Sequence, residues 1–579
     1  MKKTKILALA FAALALGACS NEDVVDSQSG AQWNAEGQGY INLAINLPTQ
    51  PTSRANDNFD DGTPEEYDVK DATLILFADD VVNSAYSLNL NFSPEGTSTD
   101  NITTTAKITQ QINKISSTDI EALVVLNNNG MFTVENADLK VNGASMKGKS
   151  LDELNDAVNA QIGNNTWTGN GFLMSNAVLA TAQGGATDPA AATTVTLVPI
   201  DATKIYSTAT EANLKPAANI YVERAVSKVT LIASDGTTTD GTQFAYTIDG
   251  WTLDNTNNSS KLVRTADNFN TWKSYFSNAA TLTDKYRFVG SALVGQNIAG
   301  TENYYRVYWG EDYNYTGANA GSFTTVGGQT VADASLNTNV DGTVARYCFE
   351  NTSNLAEMLE ENMTRVIVKA TFNNGADFYL VDKDKNNMWT LAQVQQEVAA
   401  RLINEPSFNA WAKQNLKDNK TTLTEADFTV TLSTAAGECT VASIALTEEG
   451  QAKLKEGVSL KDNAVALANG EITIAKYANG ESYYSVWVNH FGEDGTPWDV
   501  NETTAPAEGN IYPGGDANYL GRWGMLRNNW YEINVNSIKG IGDPTVAEVT
   551  GETIDKKDSY IAVSINILSW AKRVQNADL

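Results

Sequence analysis

Two stretches of this chain, 520 residues apart from position 41 to position 561, carry the same alternating pattern. Tyr40-Ile41-Asn42-Leu43-Ala44-Ile45-Asn46-Leu47 places Ile41, Leu43, Ile45 and Leu47 on one face and Asn42, Ala44 and Asn46 on the other. Tyr560-Ile561-Ala562-Val563-Ser564-Ile565-Asn566-Ile567-Leu568 places Ile561, Val563, Ile565 and Ile567 on one face, with Ala562, Ser564 and Asn566 opposite. Side chains alternate along a strand, so this period of two in β-branched residues predicts strands with one buried and one wet face. Two such strands can fill one groove at different times, although edge strands of unrelated sheets also resemble each other. The residues after Leu47 separate these readings.

Pro48-Thr49-Gln50-Pro51-Thr52-Ser53-Arg54-Ala55-Asn56-Asp57 reads as an exposed loop, because Pro48 and Pro51 cannot donate to a strand ladder. Arg54 is the only cationic residue between Lys5 and Lys70. A solitary arginine on an extended loop suits a trypsin-like protease, which must draw the scissile backbone out of the fold. Cleavage between Arg54 and Ala55 would detach the strand at 40–47 from everything downstream, and the carboxyl end carries a replacement.

At the amino end, Lys2, Lys3 and Lys5 precede an apolar run from Ile6 to Leu16. That run is too short to span a bilayer as a stable helix and reads as a secretory leader. It closes in Leu16-Gly17-Ala18-Cys19, which resembles the lipobox of bacterial lipoproteins. The resemblance implies removal of residues 1–18 and acylation of Cys19. Residues 20–39 read as a polar tether, and Ser20-Asn21-Glu22-Asp23 is a polar, acidic tract of the kind associated with surface export in Bacteroidetes lipoproteins.

Downstream, short strands are expected at 74–77, 85–92, 121–126 and 193–200, with an amphipathic helix at 151–162 bearing Leu151, Leu154, Val158 and Ile162. Residues 202–216 read as an interdomain passage. A strand from Ile220 to Val229 then opens a second half, with further strands at 243–253, 304–309, 344–349, 365–372 and 530–538. Thr390 and Gln393 give a capping-box start to a helix over 391–403. Ile472 to Val488 reads as a hairpin turning at Asn479-Gly480, and 545–558 as a polar connector to the last strand.

Length and composition set the outer limits. The 579 residues allow two or three domains. A hydrophobic fraction of 42% with 19% charged residues belongs to a folded chain. The net charge of −29 argues against nucleic acid or an anionic membrane as partner, since phosphates would be repelled. His490, the single histidine, sits in an aromatic strand-like run and excludes any mechanism that needs two. Beyond Cys19 only Cys348 and Cys439 remain, and their pairing is left open.

With these elements in place, the pattern resembles the Mfa-type fimbrillins, subunits of the type V pili of Bacteroidales. The matching residues are the lipobox Cys19, the Ser53-Arg54-Ala55 junction, Val222-Glu223-Arg224-Ala225-Val226-Ser227-Lys228-Val229, Arg527-Asn528-Asn529-Trp530-Tyr531 with Asn536-Ser537-Ile538-Lys539, and the closing Ile567-Leu568-Ser569-Trp570. Ser569 stands where the family usually has proline. The resemblance is strongest over the last fifty or so residues and the leader region.

It implies a mainly β chain of two β-sandwich domains, transthyretin-like and of Greek-key type, with a few short helices. The expected domains are 55–215 and 216–545, after a lipidated propeptide at 19–54 and before a connector and donor strand at 546–579. It further implies cleavage by an arginine-specific protease and polymerisation with copies of itself by strand exchange. Ile41, Leu43, Ile45 and Leu47 would be the plug, and Ile561, Val563, Ile565 and Ile567 the donor. The implied location is a fimbrium at the cell surface, whose precursor is lipid-anchored in the outer membrane and assembles with accessory or anchor pilins in adhesion and biofilm formation.

No enzymatic constellation is expected. Asp382-Lys383-Asp384-Lys385-Asn386 imitates a calcium loop, but Asn387 stands where glycine is required and Gln393 where glutamate is required. Gly540 and Gly542 lack a third glycine and a following helix. No cofactor is implied. The competing reading is a monomeric surface lipoprotein that binds glycans through exposed Tyr304, Tyr305, Tyr308 and Trp309.

Overall fold

The structure, a computed structural model, describes residues 30–47, 66, 68–90, 105–165, 167–168, 171–180, 193–214, 216–264, 266, 289–298, 302–307, 309–310, 312–315, 323–490, 520–554 and 561–569. The chain is mainly β with few helices. Five strands define the first sheet's outline: β1 (Gln38–Asn46), β2 (Ala72–Ala78), β3 (Val81–Leu88), β4 (Thr105–Asn113) and β5 (Ile120–Leu126). With β6 (Met174–Asn176) and β7 (Ala218–Arg224) they run in the order β3-β2-β5-β6-β7-β1-β4.

Ile41, Leu43 and Ile45 near one edge share a core with Leu74, Leu76, Val124 and Leu126 near the other. The sheet therefore curls around its apolar face. Its outermost strands meet where the Asn113 amide donates to the Tyr86 hydroxyl at 2.8 Å. The opposite face, with Ile75, Phe77, Leu123 and Val125, packs under Leu154, Val158 and Ile162 of helix α1 (Leu151–Asn165). The helix runs three residues beyond its expected end. Ser150 and Glu153 start it by exchanging side-chain bonds with each other's amides, at 3.2 and 2.9 Å.

The strand expected from 220 to 229 is in fact two strands in two sheets. β7 belongs to the first sheet, whereas β8 (Val226–Ile232) pairs with β10 (Arg346–Phe349) in another. The change comes at Ala225, fully buried, whose amide reaches Leu173 O at 3.0 Å. Alternation continues across this point, so the pattern cannot reveal the change of sheet. The strand run thus changes sheet at Ala225.

Beyond it, two four-stranded sheets lie face to face. One contains β10, β8, β15 (Asn529–Ile538) and β16 (Ile561–Ser569); the other contains Gly236–Thr237, β9 (Ala245–Asp254), β11 (Arg365–Phe372) and β14 (Glu481–Trp487). Their core joins Val229, Leu231, Tyr531, Ile533 and Val563 to Trp251, Val366, Val368, Phe372 and Val486. A hairpin arm, Val289–Ile298 with Glu302–Val307, ties the two sheet groups together by pairing Leu179 with Arg306 and Ala180 with Tyr305.

The expected hairpin at 472–488 does not form. β13 (Ile474–Tyr477) pairs with β12 (Phe378–Val381), while β14 pairs with β11. The Asn479-Gly480 turn carries the chain between sheets. Gly480 has φ +69 there, and a Cβ on it would lie 2.1 Å from Phe372 O. Asn-Gly marks a tight reversal but does not say which strand the chain meets afterwards. Between β12 and β13, residues 382–473 form an insertion with its own core, including Val394, Val398, Leu402, Phe408, Phe428 and Val430. Helix α2 (Leu391–Asn404) has the expected Thr390–Gln393 capping box. Helix α3 (Pro406–Asn415), not expected from sequence, starts on Glu405, whose carboxylate accepts from the amides of Ser407 and Phe408.

Glu121 on β5 yields a pH prediction. Burial, then the charges of Asp119 and Asp80, push its pKa up from 4.5 to about 7. The folded chain therefore holds this proton more tightly than the unfolded chain. The associated stability is present at about pH 4.5 and below and is lost as pH rises toward 7. Glu121→Gln is expected to raise the melting temperature at pH 8 and to leave it unchanged at pH 4. A melting temperature that falls at pH 8 would contradict this assignment.

Candidate functional site: a strand slot in the first sheet

β1 is an interior strand. It runs parallel to β7 through Leu43↔Ala218 to Asn46↔Tyr221, and antiparallel to β4 along its whole length, Gln38↔Asn113 to Asn46↔Thr105. Ile41, Leu43 and Ile45 are fully buried and Leu47 is nearly so. At about 1.5–3 kcal/mol per large aliphatic side chain, these four contribute roughly 6–12 kcal/mol before ordering costs.

The second face of β1 differs from expectation. Asn42, Ala44 and Asn46 are buried too, because the connection after β6 crosses over them with its short helix Ala209–Ala212. Two strands and a crossing segment leave residues 41–46 of β1 buried on both faces. The polar side chains are satisfied in place: Asn42 Nδ2 donates to Thr109 Oγ1 at 3.0 Å, and Asn46 Nδ2 to Ile220 O at 3.2 Å.

The expected polar tether also extends too far toward β1. Ala31 and Trp33 belong to the same core as Ile41 and Leu43. The Gln32 amide reaches Ile205 O at 2.9 Å, and Asn34 Oδ1 accepts from the amides of Glu36 and Gln38. A Cβ on Gly39 would lie 2.8 Å from the Trp33 ring and from a methyl of Ile205, so this position has no room for a side chain. One tryptophan among polar residues gave the only sequence signal.

Cys19, Arg54 and Ala55 lie outside the described residues. The next described residue after Leu47, Glu66, is buried. Its carboxylate meets Lys228 Nζ at 2.8 Å and accepts from the Tyr347 hydroxyl at 2.6 Å, while its carbonyl accepts from Arg224 Nε at 2.8 Å. Leu47 and Glu66, the described residues on either side of 48–65, are both buried.

This anchor sits where the two segments carrying the sequence resemblance meet. Arg224 donates to Asn528 Oδ1, and Lys228 Nζ lies 3.8 Å from the Trp530 ring centroid. Nearby, Glu350 receives Arg527 at 2.7 Å, and Glu223 receives Arg264 at 3.2 Å, all four side chains buried. These residues were legible as a motif but not as a buried ionic junction, since their partners come from distant parts of the chain.

The carboxyl-terminal strand is not spare in its own subunit. β16 pairs antiparallel with β15, through Ile538↔Ile561, Val535↔Val563, Ile533↔Ile565 and Tyr531↔Ile567. Val563 is buried in that core. Of the aromatics in the glycan reading, Tyr304 and Tyr305 lie on the 302–307 strand and Tyr308 lies outside the described residues. Trp309 is fully buried, with Nε1 donating to Ser353 O at 3.1 Å, so it is a core residue and offers no stacking face. His490 is buried against Tyr531, with Nδ1 2.9 Å from the hydroxyl.

Cys348 and Cys439 are free thiols in separate cores, and burial pushes the Cys348 thiol up to about 12. The carboxylates of the calcium-like stretch are engaged internally, Asp382 by Arg401 and Asp384 by Asn386 and Asn387.

Comparison with known proteins adds the following. Residues 475–576 match the family model described as major fimbrial subunit protein type IV, fimbrillin, C-terminal. That span begins at β13, just after the insertion, and takes in β14, β15 and β16. No curated protein matches the chain. Among solved structures, the chain is similar to a putative cell adhesion protein from Parabacteroides distasonis ATCC 8503, at 11% identity over 92% of this chain and 98% of that one, with a TM-score of 0.35. It is also similar to a fimbrilin from Porphyromonas gingivalis W83, at 13% identity over 92% and 98%, again with a TM-score of 0.35. A fimbrial assembly protein from Parabacteroides distasonis ATCC 8503 aligns at 10% identity over 58% of this chain and 82% of its own, with a TM-score of 0.23. At these scores the superpositions carry no argument, and the weight rests on the match at 475–576. The resemblance to the Mfa-type fimbrillins holds, and it is carried by residues 475–576, which match the fimbrillin C-terminal model.

Proposed function

We propose that this chain is a structural, non-enzymatic subunit of a surface fimbrium that polymerises with copies of itself by exchanging strands at the β1 slot. The observation that carries the reading is the position of β1. It lies inside the sheet of the body, yet in the sequence it precedes Arg54. A strand added at such a slot gains main-chain pairing, while its alternate side chains fill the pockets that β1 vacates.

In this reading the precursor is acylated at Cys19, anchored in the outer membrane, and cleaved after Arg54 by an arginine-specific protease, so that Ala55 begins the mature subunit. The incoming strand is 561–569 of a neighbour, with Ile561, Val563, Ile565 and Ile567 in place of Ile41, Leu43, Ile45 and Leu47. Because β16 pairs with its own β15, donation starts with release of that strand. One ladder is exchanged for another, which keeps the net cost of the transfer small. The two sheet groups correspond to two transthyretin-like sandwich domains, and accessory or anchor pilins cap the filament at the surface, where it serves adhesion and biofilm formation.

Arg54→Ala is expected to leave a lipidated, cell-associated monomer; filaments of parental length from that variant would contradict the cleavage site. Cys19→Ala is expected to abolish acylation and surface display, as read by radiolabelled fatty acid and by antibody on intact cells. Ile45→Ala should destabilise the precursor by about 2–5 kcal/mol in chemical denaturation, yet leave assembled filaments as heat-resistant as the parent's, because residue 45 is gone from them. Filaments weakened to the same extent would show that β1 is never replaced.

A further inference from the structure

We propose that β4 is a self-sealing strap: once β1 leaves, β4 closes onto β7, fills the slot itself, and must be displaced by the incoming strand. This rests on the reading that β1 is removed. The two walls of the slot are unequal. β7 is held on its other side by β6, Met174↔Arg224 to Asn176↔Val222, and stays in the sheet when β1 departs. Among the described residues β4 pairs with β1 alone, through nine consecutive positions. Removal of β1 therefore takes away every ladder bond of β4 at once and leaves its backbone groups beside an open apolar core. Such an edge invites aggregation, and polar backbone in apolar surroundings is costly.

Closure is compatible with the strand directions. β1 is parallel to β7 and antiparallel to β4, so direct contact between β4 and β7 makes an antiparallel ladder. The shift needed is one strand spacing, about 4.8 Å. A pivot is present, because Ile115 is buried in the core just after β4 and Asn113 is tied to Tyr86.

The side chains also decide which occupant wins. Ala106 and Ile112 are buried, and Ile108 packs partly buried against the same core. This face holds Ala106, Ile108, Gln110 and Ile112 where β1 offers four large aliphatics. The strap thus covers the slot but fills it poorly, and a strand bearing Ile561, Val563, Ile565 and Ile567 outcompetes it. The same arrangement makes strand entry a displacement instead of a docking into an open groove.

A cysteine pair reads the closure. Lys107 and Asn219 both pair with Ala44, one from each side. They stand two strand spacings apart, about 9.6 Å, beyond the roughly 7 Å that a disulfide spans. The Lys107→Cys/Asn219→Cys chain is oxidised as precursor, and again after cleavage and removal of the released segment in mild denaturant. Peptide mapping identifies the 107–219 link. Thr109→Cys with Asn219→Cys covers a two-residue slip.

The link is expected in the cleaved subunit, absent in the precursor, and suppressed when a synthetic peptide of residues 30–47 or 559–579 is added first. A cleaved subunit that binds either peptide but forms neither link overturns the strap and leaves the slot standing. A cleaved subunit that forms no link and binds neither peptide overturns both. Equal linking in precursor and cleaved subunit also overturns the strap.

Discussion

The first sheet depends on one strand that is joined to the body through a segment carrying a single cationic residue, Arg54. β1 supplies Ile41, Leu43 and Ile45 to the centre of a curled sheet, and its neighbours Ala31 and Trp33 extend the same core. Apolar burial is the largest favourable term available to such a segment. Main-chain pairing on both sides makes the loss of β1 more than the loss of four side chains. It removes the ladder of β4 and uncovers the carbonyls and amides of β7 that faced it.

The second constraint is the ionic junction behind the slot. Glu66, Lys228, Glu223, Arg264, Glu350 and Arg527 are buried together where the strand run crosses from one sheet group to the other. Buried ion pairs contribute little net stability, because desolvation offsets their attraction, but breaking one by deleting a partner is expensive. Their effect here is specificity of arrangement. Glu66 is fixed to Arg224 and Lys228 of the crossing strand, and the 302–307 strand pairs with residues 179–180 beside the same junction. Loss of β1 therefore leaves the start of the body anchored.

Periodicity made the short alternating strands visible. Strands at 72–78, 120–126, 365–372 and 529–538 lie where apolar runs and β-rich stretches placed them, and Thr390 with Gln393 capped the helix that their spacing announced. What failed has common physical causes. Alternation reports one face of a strand and not its partner, so the run at 220–229 hid a change of sheet at Ala225, and Asn479-Gly480 hid a second. The buried second face of β1 depends on a helix at 209–212, over 160 residues downstream. β4, with Lys107, Gln110 and Gln111 in its midst, has too weak a pattern to read as a strand, although it forms one wall of the slot. The insertion at 382–473 and the burial of Trp309 were equally invisible, since both rest on contacts among distant residues.

The central claim is that the slot between β7 and β4 changes occupant. Cryo-electron microscopy of filaments sheared from cells tests it directly, at a resolution that reads side chains in that slot. The account predicts density for residues 561–569 of the adjacent subunit, with Ile561, Val563, Ile565 and Ile567 facing Leu74, Val124 and Ile220, and no density for residues 38–46. Filaments in which each subunit keeps its own residues 38–46 between 218–224 and 105–113 would contradict it.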